Sequence, residues 1–339
     1  MELSNKNILI TGGTGSFGNY FVEKILSEHN PSKLVIYSRD ELKQHDFQTK
    51  LKSKFSEEVI QNKVRFFLGD VRDKERLNLA IQDIDIVIHA AALKQVPAAE
   101  YNPMETIKTN IIGAQNLIDI VLQHENTRVV ALSTDKAANP INLYGATKLA
   151  SDKLFISANN LVGNKNISFS VVRYGNVFGS RGSVVPYYLN LLENDQITFP
   201  VTDERMTRFW ITLDEAVNFV IKTVSIMKGG EIFVPKIPSV NILDVVKAIN
   251  PKAKIEIIGI RPGEKLHEVM CPRDEYFKVI EFNNFFIITP SILFTNNNLN
   301  YFEIGDEVGK QVNDDFEYNS YNNEKFLTIS EIRKYLDLL

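Results

Sequence analysis

The stretch Asn7-Ile-Leu-Ile-Thr-Gly-Gly-Thr-Gly-Ser-Phe-Gly18 decides how this chain is read. Its opening residues, Asn7–Thr11, form a short apolar run without alternation, the pattern of a strand buried on both faces. Glycines follow at once, and a helical pattern, Phe17–Ser27, lies beyond them. Where a strand turns tightly into a helix, glycines let the backbone approach an anion, and the free amides and dipole of the helix N-terminus attract its charge. That arrangement suits the pyrophosphate of a dinucleotide, with Gly12, Thr14, Gly15, Ser16, Phe17 and Gly18 around it.

Further apolar runs, Leu34–Tyr37, Val64–Leu68, Ile84–His89, Val129–Ser133 and Ser168–Arg173, alternate with helical segments at Glu41–Phe55, Lys74–Ala80, Met104–Gln123 and Tyr144–Asn159. The alternation predicts an α/β fold, a Rossmann-type doubly wound parallel sheet with a smaller C-terminal substrate lobe. Residues 1–175 read as the cofactor domain, 176–290 as a substrate-binding lobe interleaved with it, and 291–339 as a C-terminal extension. In the lobe the pattern loosens to a helix over Leu213–Met227, a strand over Glu231–Pro235, a helix over Ile242–Ile249 and a strand over Lys254–Gly259. The extension is rich in Asn, Tyr, Asp and Glu and ends in an amphipathic segment, Ile329–Leu339, expected to dock as a helix.

With 38 Lys and Arg against 42 Asp and Glu among 339 residues, the net charge is −4, and the cations are scattered. No broad electropositive face is expected, so nucleic acid is not an expected partner. Cys271, the single cysteine, rules out an intramolecular disulfide and any multi-cysteine metal site, and no metal is expected. No apolar run approaches the roughly 18 residues of a membrane span, and the N-terminus lacks a signal-peptide layout, which leads to the expectation of a cytoplasmic protein away from membranes. His89, at the end of an apolar run, reads as a core histidine.

In a doubly wound sheet the ligand sits outside the carboxyl ends of the strands. After the second strand come Ser38, Arg39 and Asp40, with Lys43 one helical turn further on. An acidic residue there would bind the ribose hydroxyls of NAD, whereas Arg39 and Lys43 would pair with the extra phosphate of NADP, which is the expected cofactor ahead of NAD. Asp70 and Val71 are expected to flank the adenine, Ala90, Ala91 and Ala92 to lie against the cofactor, and Lys94 and Asn110 to reach it from the fourth strand end and the helix that follows.

The fifth strand is followed by Ser133-Thr134-Asp135-Lys136, and Tyr144 and Lys148 open the next helix. Residues four apart share a helix face, so Lys148 is placed to depress the phenol pKa of Tyr144 and make it a base, with Thr134 as hydroxyl partner. Asp135 and Lys136 add an acid and a base that a simple dehydrogenase or epimerase does not need. An aspartate protonates a leaving hydroxyl, and a lysine made neutral by burial or positive neighbours removes a carbon-bound proton.

The glycine spacing Gly12-x-x-Gly15-x-x-Gly18 resembles the extended short-chain dehydrogenase/reductase family. Within it, Ala131–Lys148 (ALSTDKAANPINLYGATK) resembles the inverting UDP-N-acetylglucosamine 4,6-dehydratases that begin pseudaminic acid biosynthesis in bacteria. Further stretches carry the likeness from about residue 7 to 270: Ile36–Gln44 (IYSRDELKQ), His89–Pro97 (HAAALKQVP), Val172–Val184 (VRYGNVFGSRGSV), Met206–Leu213 (MTRFWITL), Gly229–Pro238 (GGEIFVPKIP) and Ile260–Glu268 (IRPGEKLHE). Retaining relatives typically carry glutamate where Lys136 stands.

The resemblance implies a closed redox cycle on UDP-N-acetylglucosamine. Tyr144 takes the proton of the sugar 4-hydroxyl as hydride leaves C4, Lys136 removes the C5 proton, Asp135 assists loss of the 6-hydroxyl, and hydride returns to C6. Reprotonation of C5 from the opposite face inverts that centre. The same resemblance assigns Lys94, Thr134, Asn176, Thr202 and Met206 to the sugar nucleotide, Arg261 to its diphosphate and Glu264 to the uridine ribose, with Arg181, Arg205 and Arg208 competing for the anion. It also implies a homo-oligomer. The rival readings are a UDP-hexose epimerase or reductase, against which Asp135-Lys136 argues, and a dinucleotide sensor without turnover, against which Tyr144 and Lys148 argue.

Overall fold

A computed structural model describes residues 3–292 and 299–339 of the chain. Six apolar runs form parallel strands: β1 (Asn7–Thr11), β2 (Lys33–Ser38), β3 (Val64–Leu68), β4 (Ile86–His89), β5 (Asn126–Thr134) and β6 (Asn166–Tyr174). They lie in the order β3-β2-β1-β4-β5-β6, so the strand order reverses between β1 and β4 and opens a crevice at their carboxyl ends. Ile8, Leu9 and Ile10 of β1 and Ile86, Val87 and Ile88 of β4 are buried, as strands covered by helices on both faces require. The fold is the expected Rossmann-type α/β sheet.

Beyond β6 the sheet continues. Ile232–Pro235 adds in parallel to β6, Phe285–Ile288 pairs antiparallel with it, and Val279–Glu281 and Lys310–Gln311 complete that edge. The chain therefore returns to the sheet from the lobe and again from the C-terminal segment. A second apolar cluster, built on Phe178, Tyr188, Phe199, Trp210, Val245 and Ile332, forms the lobe's own core. The amphipathic segment at the C-terminus is a helix over Ile329–Leu336, started by a reciprocal cap between Thr328 and Glu331. Its Tyr335 packs edge-on to Phe178 with ring centroids 5.5 Å apart, which docks the helix on that core.

The single helix expected over Met104–Gln123 is interrupted. Pro103–Ile107 and Gly113–Val121 are α-helical, and Lys108–Ile112 between them is one π-helical turn. The wider turn is an insertion within the helix that the apolar spacing did not signal.

Candidate active site

The carboxyl ends of β1, β2, β4 and β5 open into a cleft of ≈730 Å³. Gly12, Thr14, Gly15, Ser16, Phe17, Gly18, Ser38, Arg39, Lys43, Asp70, Val71, Ala90, Ala91, Ala92 and Lys94 all line it. Gly12 has φ +67° and approaches the next strand end so closely that a Cβ there would lie 2.9 Å from the Ala90 carbonyl carbon. The helix Ser16–Glu28 begins at Gly15 with no side-chain cap and no acidic residue in its first turn, so its amides remain free for an anion. The buried hydroxyls of Thr109 and Ser183 also line the cleft, without hydrogen-bond partners among the described residues. These features fit a dinucleotide, with the glycine loop holding its pyrophosphate.

At the ribose end, Asp40 is engaged as a helix cap. Its carboxylate accepts the Lys43 amide at 3.0 Å and pairs with the Lys43 ammonium at 2.9 Å. Asp70 accepts from Arg72 at 2.7 and 3.0 Å, which leaves the exposed Arg39 guanidinium only a loose contact with Asp70 at 3.8 Å. His89 is buried and its Nδ1 lies 2.9 Å from the Thr11 hydroxyl, whose oxygen also accepts the Ala91 amide. Burial, with Lys148 nearby, lowers the imidazole pKa to about 3, so His89 is a neutral core residue.

Asp135 and Lys136 form a short 3-10 turn directly after β5, and Tyr144 and Lys148 lie on the helix Leu143–Ala158, which Asn142 caps by accepting the Gly145 amide. Thr134, Lys136, Tyr144 and Lys148 line the cleft, while Asp135 is fully buried behind them. The Thr134 hydroxyl donates to Asp135 Oδ1 at 2.8 Å. Burial raises the Asp135 pKa from the usual carboxylate range, opposed by the Lys136 ammonium beside it.

Two expectations about charge are corrected. Lys136 is not a neutral amine here: its Nζ lies 3.0 Å from Asp135 Oδ1, 3.2 Å from Glu268 Oε1 and 3.3 Å from Asn176 Oδ1. Burial works against its charge, but the two carboxylates outweigh that and raise its pKa. Tyr144 is likewise not depressed by Lys148. Burial raises its pKa to about 12, and the groups that oppose the rise are Lys136 and the Thr134 hydroxyl. Burial lowers the pKa of Lys148 itself, opposed by Asp152 one turn further along the helix.

Asn176 lines the cleft beside Lys136, but Thr202, Met206, Arg261 and Glu264 do not. Met206 is buried in the lobe core, with its sulfur against the Arg208 guanidinium. The turn carrying Arg261 and Glu264 is held by Asn142, which donates to the Gly263 carbonyl at 2.8 Å. Asn110 also stands off the cleft: buried on the π-helical turn, it clamps both backbone groups of Leu93 at 2.8 and 3.0 Å and donates to Thr147. Its part is to fix the backbone that carries Lys94.

Sequence reasoning gave no role to two groups found here, Glu268 and Asp152, and to Arg181 only a competing claim on the substrate's anion. Glu268 reaches Lys136 from the lobe; Arg181, which lines the cleft, donates to the Thr14 carbonyl at 3.1 Å; and Asp152 accepts from Ser133 at 2.7 Å and from Arg173 at 3.3 Å behind β5. Only Arg181 carried a signal, as a cation flanked by glycines after a strand end.

The family described as Polysaccharide biosynthesis protein matches residues 8–290. Over 330 residues the chain is 52% identical to the UDP-N-acetylglucosamine 4,6-dehydratase (inverting) of Campylobacter jejuni, covering 97% of this chain and 96% of that one. It is 37% identical over 340 residues to the UDP-glucose 4-epimerase of Rickettsia bellii, covering 98% and 95% of the two chains. Among solved structures, Pen from Bacillus thuringiensis superposes with a TM-score of 0.87 at 34% identity, covering 100% of both chains. Matched over most of its length and sharing half its residues with one such enzyme, the chain belongs to the polysaccharide biosynthesis protein family, alongside the inverting UDP-N-acetylglucosamine 4,6-dehydratases.

Proposed function

We propose that this protein is an NADP-dependent UDP-N-acetylglucosamine 4,6-dehydratase that inverts C5, giving UDP-2-acetamido-2,6-dideoxy-β-L-arabino-hex-4-ulose and water. The observation that carries the reading is the meeting of Asp135, Lys136, Tyr144 and Lys148 at the end of β5, beside a glycine loop built for a dinucleotide. The 52% identity to an enzyme of that name supports the substrate and the stereochemistry. NADP is favoured over NAD because Asp40 is used as a helix cap while the Arg39 guanidinium stands exposed at the cleft edge.

When bound, the nicotinamide ring would accept hydride from C4 and return it to C6. Tyr144, backed by the Lys136 cation and the Thr134 hydroxyl, takes the proton of the 4-hydroxyl. The resulting ketone acidifies C5, and Lys136, once it has released a proton to solvent in the cleft, removes the proton there. The C5–H electron pair becomes the C5=C6 double bond as the 6-hydroxyl departs with the proton of Asp135, forming water, and C5 then takes up a proton on its opposite face as hydride adds to C6, which sets the inverted configuration. Asp135 suits that task because burial keeps its acid form accessible. Asn176 and Lys94 bind the substrate at the cleft, while Thr202, Met206, Arg261 and Glu264 are assigned to the nucleotide end by resemblance alone.

The remaining parts of the proposal are a place at the start of pseudaminic acid biosynthesis, a cytoplasmic location and a homo-oligomer. Among the described residues no helix is long and apolar enough to cross a membrane. Exposed Tyr101, Met104 and Ile112, on the helices beside the sheet, offer apolar surface for a second copy. Incubation with UDP-N-acetylglucosamine should yield a product lighter by one water in a mass spectrum, with no net change in the cofactor. A product of unchanged mass would instead mark an epimerase, the activity named for the Rickettsia relative.

A further inference from the structure

Lys136 is held from two sides, and only one of them adjoins it in sequence. Asp135 is its chain neighbour, whereas Glu268 arrives from the lobe, immediately before the strand Val269–Cys271. An ammonium has three hydrogens, and here each faces an acceptor: Asp135 Oδ1, Glu268 Oε1 and Asn176 Oδ1. The Glu268 side chain is 3% exposed, and its Oε2 accepts no hydrogen bond among the described residues. Burying a carboxylate in this way is costly unless cations compensate. The cations are present: Lys136 at 3.2 Å, Lys265 at 3.9 Å and Arg208 at 4.0 Å.

The segment's own fold does not need that carboxylate. The Glu268 amide donates to the Ser320 hydroxyl at 2.9 Å and its carbonyl accepts the Ser320 amide at 2.8 Å, so the backbone is anchored independently of the side chain. The carboxylate is thus left to face the cations of the cleft floor, and Lys136 is the one among them that lines the cleft.

We propose that Glu268 is a positioning residue for dehydration, holding the Lys136 ammonium from the lobe side so that its aim and its exchange of a proton with C5 are set jointly by Asp135 and Glu268. The proposal rests on the reading of Lys136 as the group that takes the C5 proton. Besides Glu268, the charged and titratable groups facing Lys136 are Asp135, Tyr144, Lys94, Arg208 and Lys265. Lys94, Arg208 and Lys265 are cations that disfavour its charge, so removing the Glu268 carboxylate leaves Asp135 alone to oppose them.

The test is the pH dependence of deuterium uptake at C5 of UDP-N-acetylglucosamine by the full-length protein, compared across wild type, Glu268→Gln and Glu268→Asp, with NADP binding as the check on folding. Losing a negative charge beside an ammonium makes the ammonium easier to deprotonate. Glu268→Gln should therefore move the midpoint of the profile down by about one pH unit or more. Turnover should fall about tenfold or more as Nζ loses its aim. Glu268→Asp, which keeps the charge on a shorter arm, should hold the wild-type midpoint at reduced turnover. Wild-type turnover and midpoint in Glu268→Gln overturn the proposal, as does a midpoint in Glu268→Asp displaced as far as in Glu268→Gln. If Glu268→Gln fails to bind NADP, Glu268→Asp decides alone: a kept midpoint with lowered turnover supports the proposal, and unchanged turnover or a displaced midpoint overturns it. A wild-type protein that forms no dehydrated product fails the reading beneath the proposal and takes the proposal with it. Wild-type dehydration matched by Glu268→Gln fails the proposal alone.

Discussion

Lys136 is where a residue's identity and its state part company. Its position after β5 was legible, because a charged pair at a strand's carboxyl end stands where ligands bind. Its protonation was not, because that depends on burial and on Glu268 as well as on Asp135, and no local pattern connects Glu268 to it. Lys136→Ala should abolish deuterium uptake at C5 while NADP binding, measured by equilibrium titration, stays at the wild-type level. Loss of both would make Lys136 a structural residue. Tyr144 teaches the same lesson: helical spacing paired it with Lys148, but the groups that ease its ionisation are Lys136 and Thr134, across the turn from it.

At the scale of elements, the strand–glycine–helix unit was the most legible part, because each of its demands is local: an apolar run, a backbone that must approach Ala90, and a helix start left uncapped. The π-helical turn at Lys108–Ile112 was illegible, and with it the clamp that Asn110 makes on Leu93, since a single turn is too short to set a period of its own and the clamp joins residues 17 apart. The proposed preference for NADP over NAD rests on the end of β2. Replacing Arg39 by Ser should weaken NADP binding about tenfold to a hundredfold, the worth of a charge-assisted contact, while leaving NAD binding near its starting value. Fluorescence titration with both dinucleotides checks this, and an equal loss for the two would remove Arg39 from the phosphate site.

For the whole molecule, the alternation of runs was enough to foresee a doubly wound sheet, but not how far the rest of the chain is woven into it. The two-residue strand Lys310–Gln311 is too short to leave a pattern, yet it forms the edge of the main sheet. Arg173 of β6 reaches the Met270 carbonyl at 3.0 Å and Asp152 at 3.3 Å, tying the lobe's return to the helix of Tyr144 and Lys148. Such ties join residues far apart in sequence, so they appear only once the chain is folded. They bring Glu268 beside Lys136 and let a cofactor sheet and a lobe close on one cleft. The central claim, that this cleft dehydrates UDP-N-acetylglucosamine with inversion, is tested most directly by running the reaction in deuterated water and reading the product by NMR. The account predicts loss of water, deuterium at C5 and the L-arabino configuration; a product that keeps the original C5 configuration, or no loss of water, would contradict it.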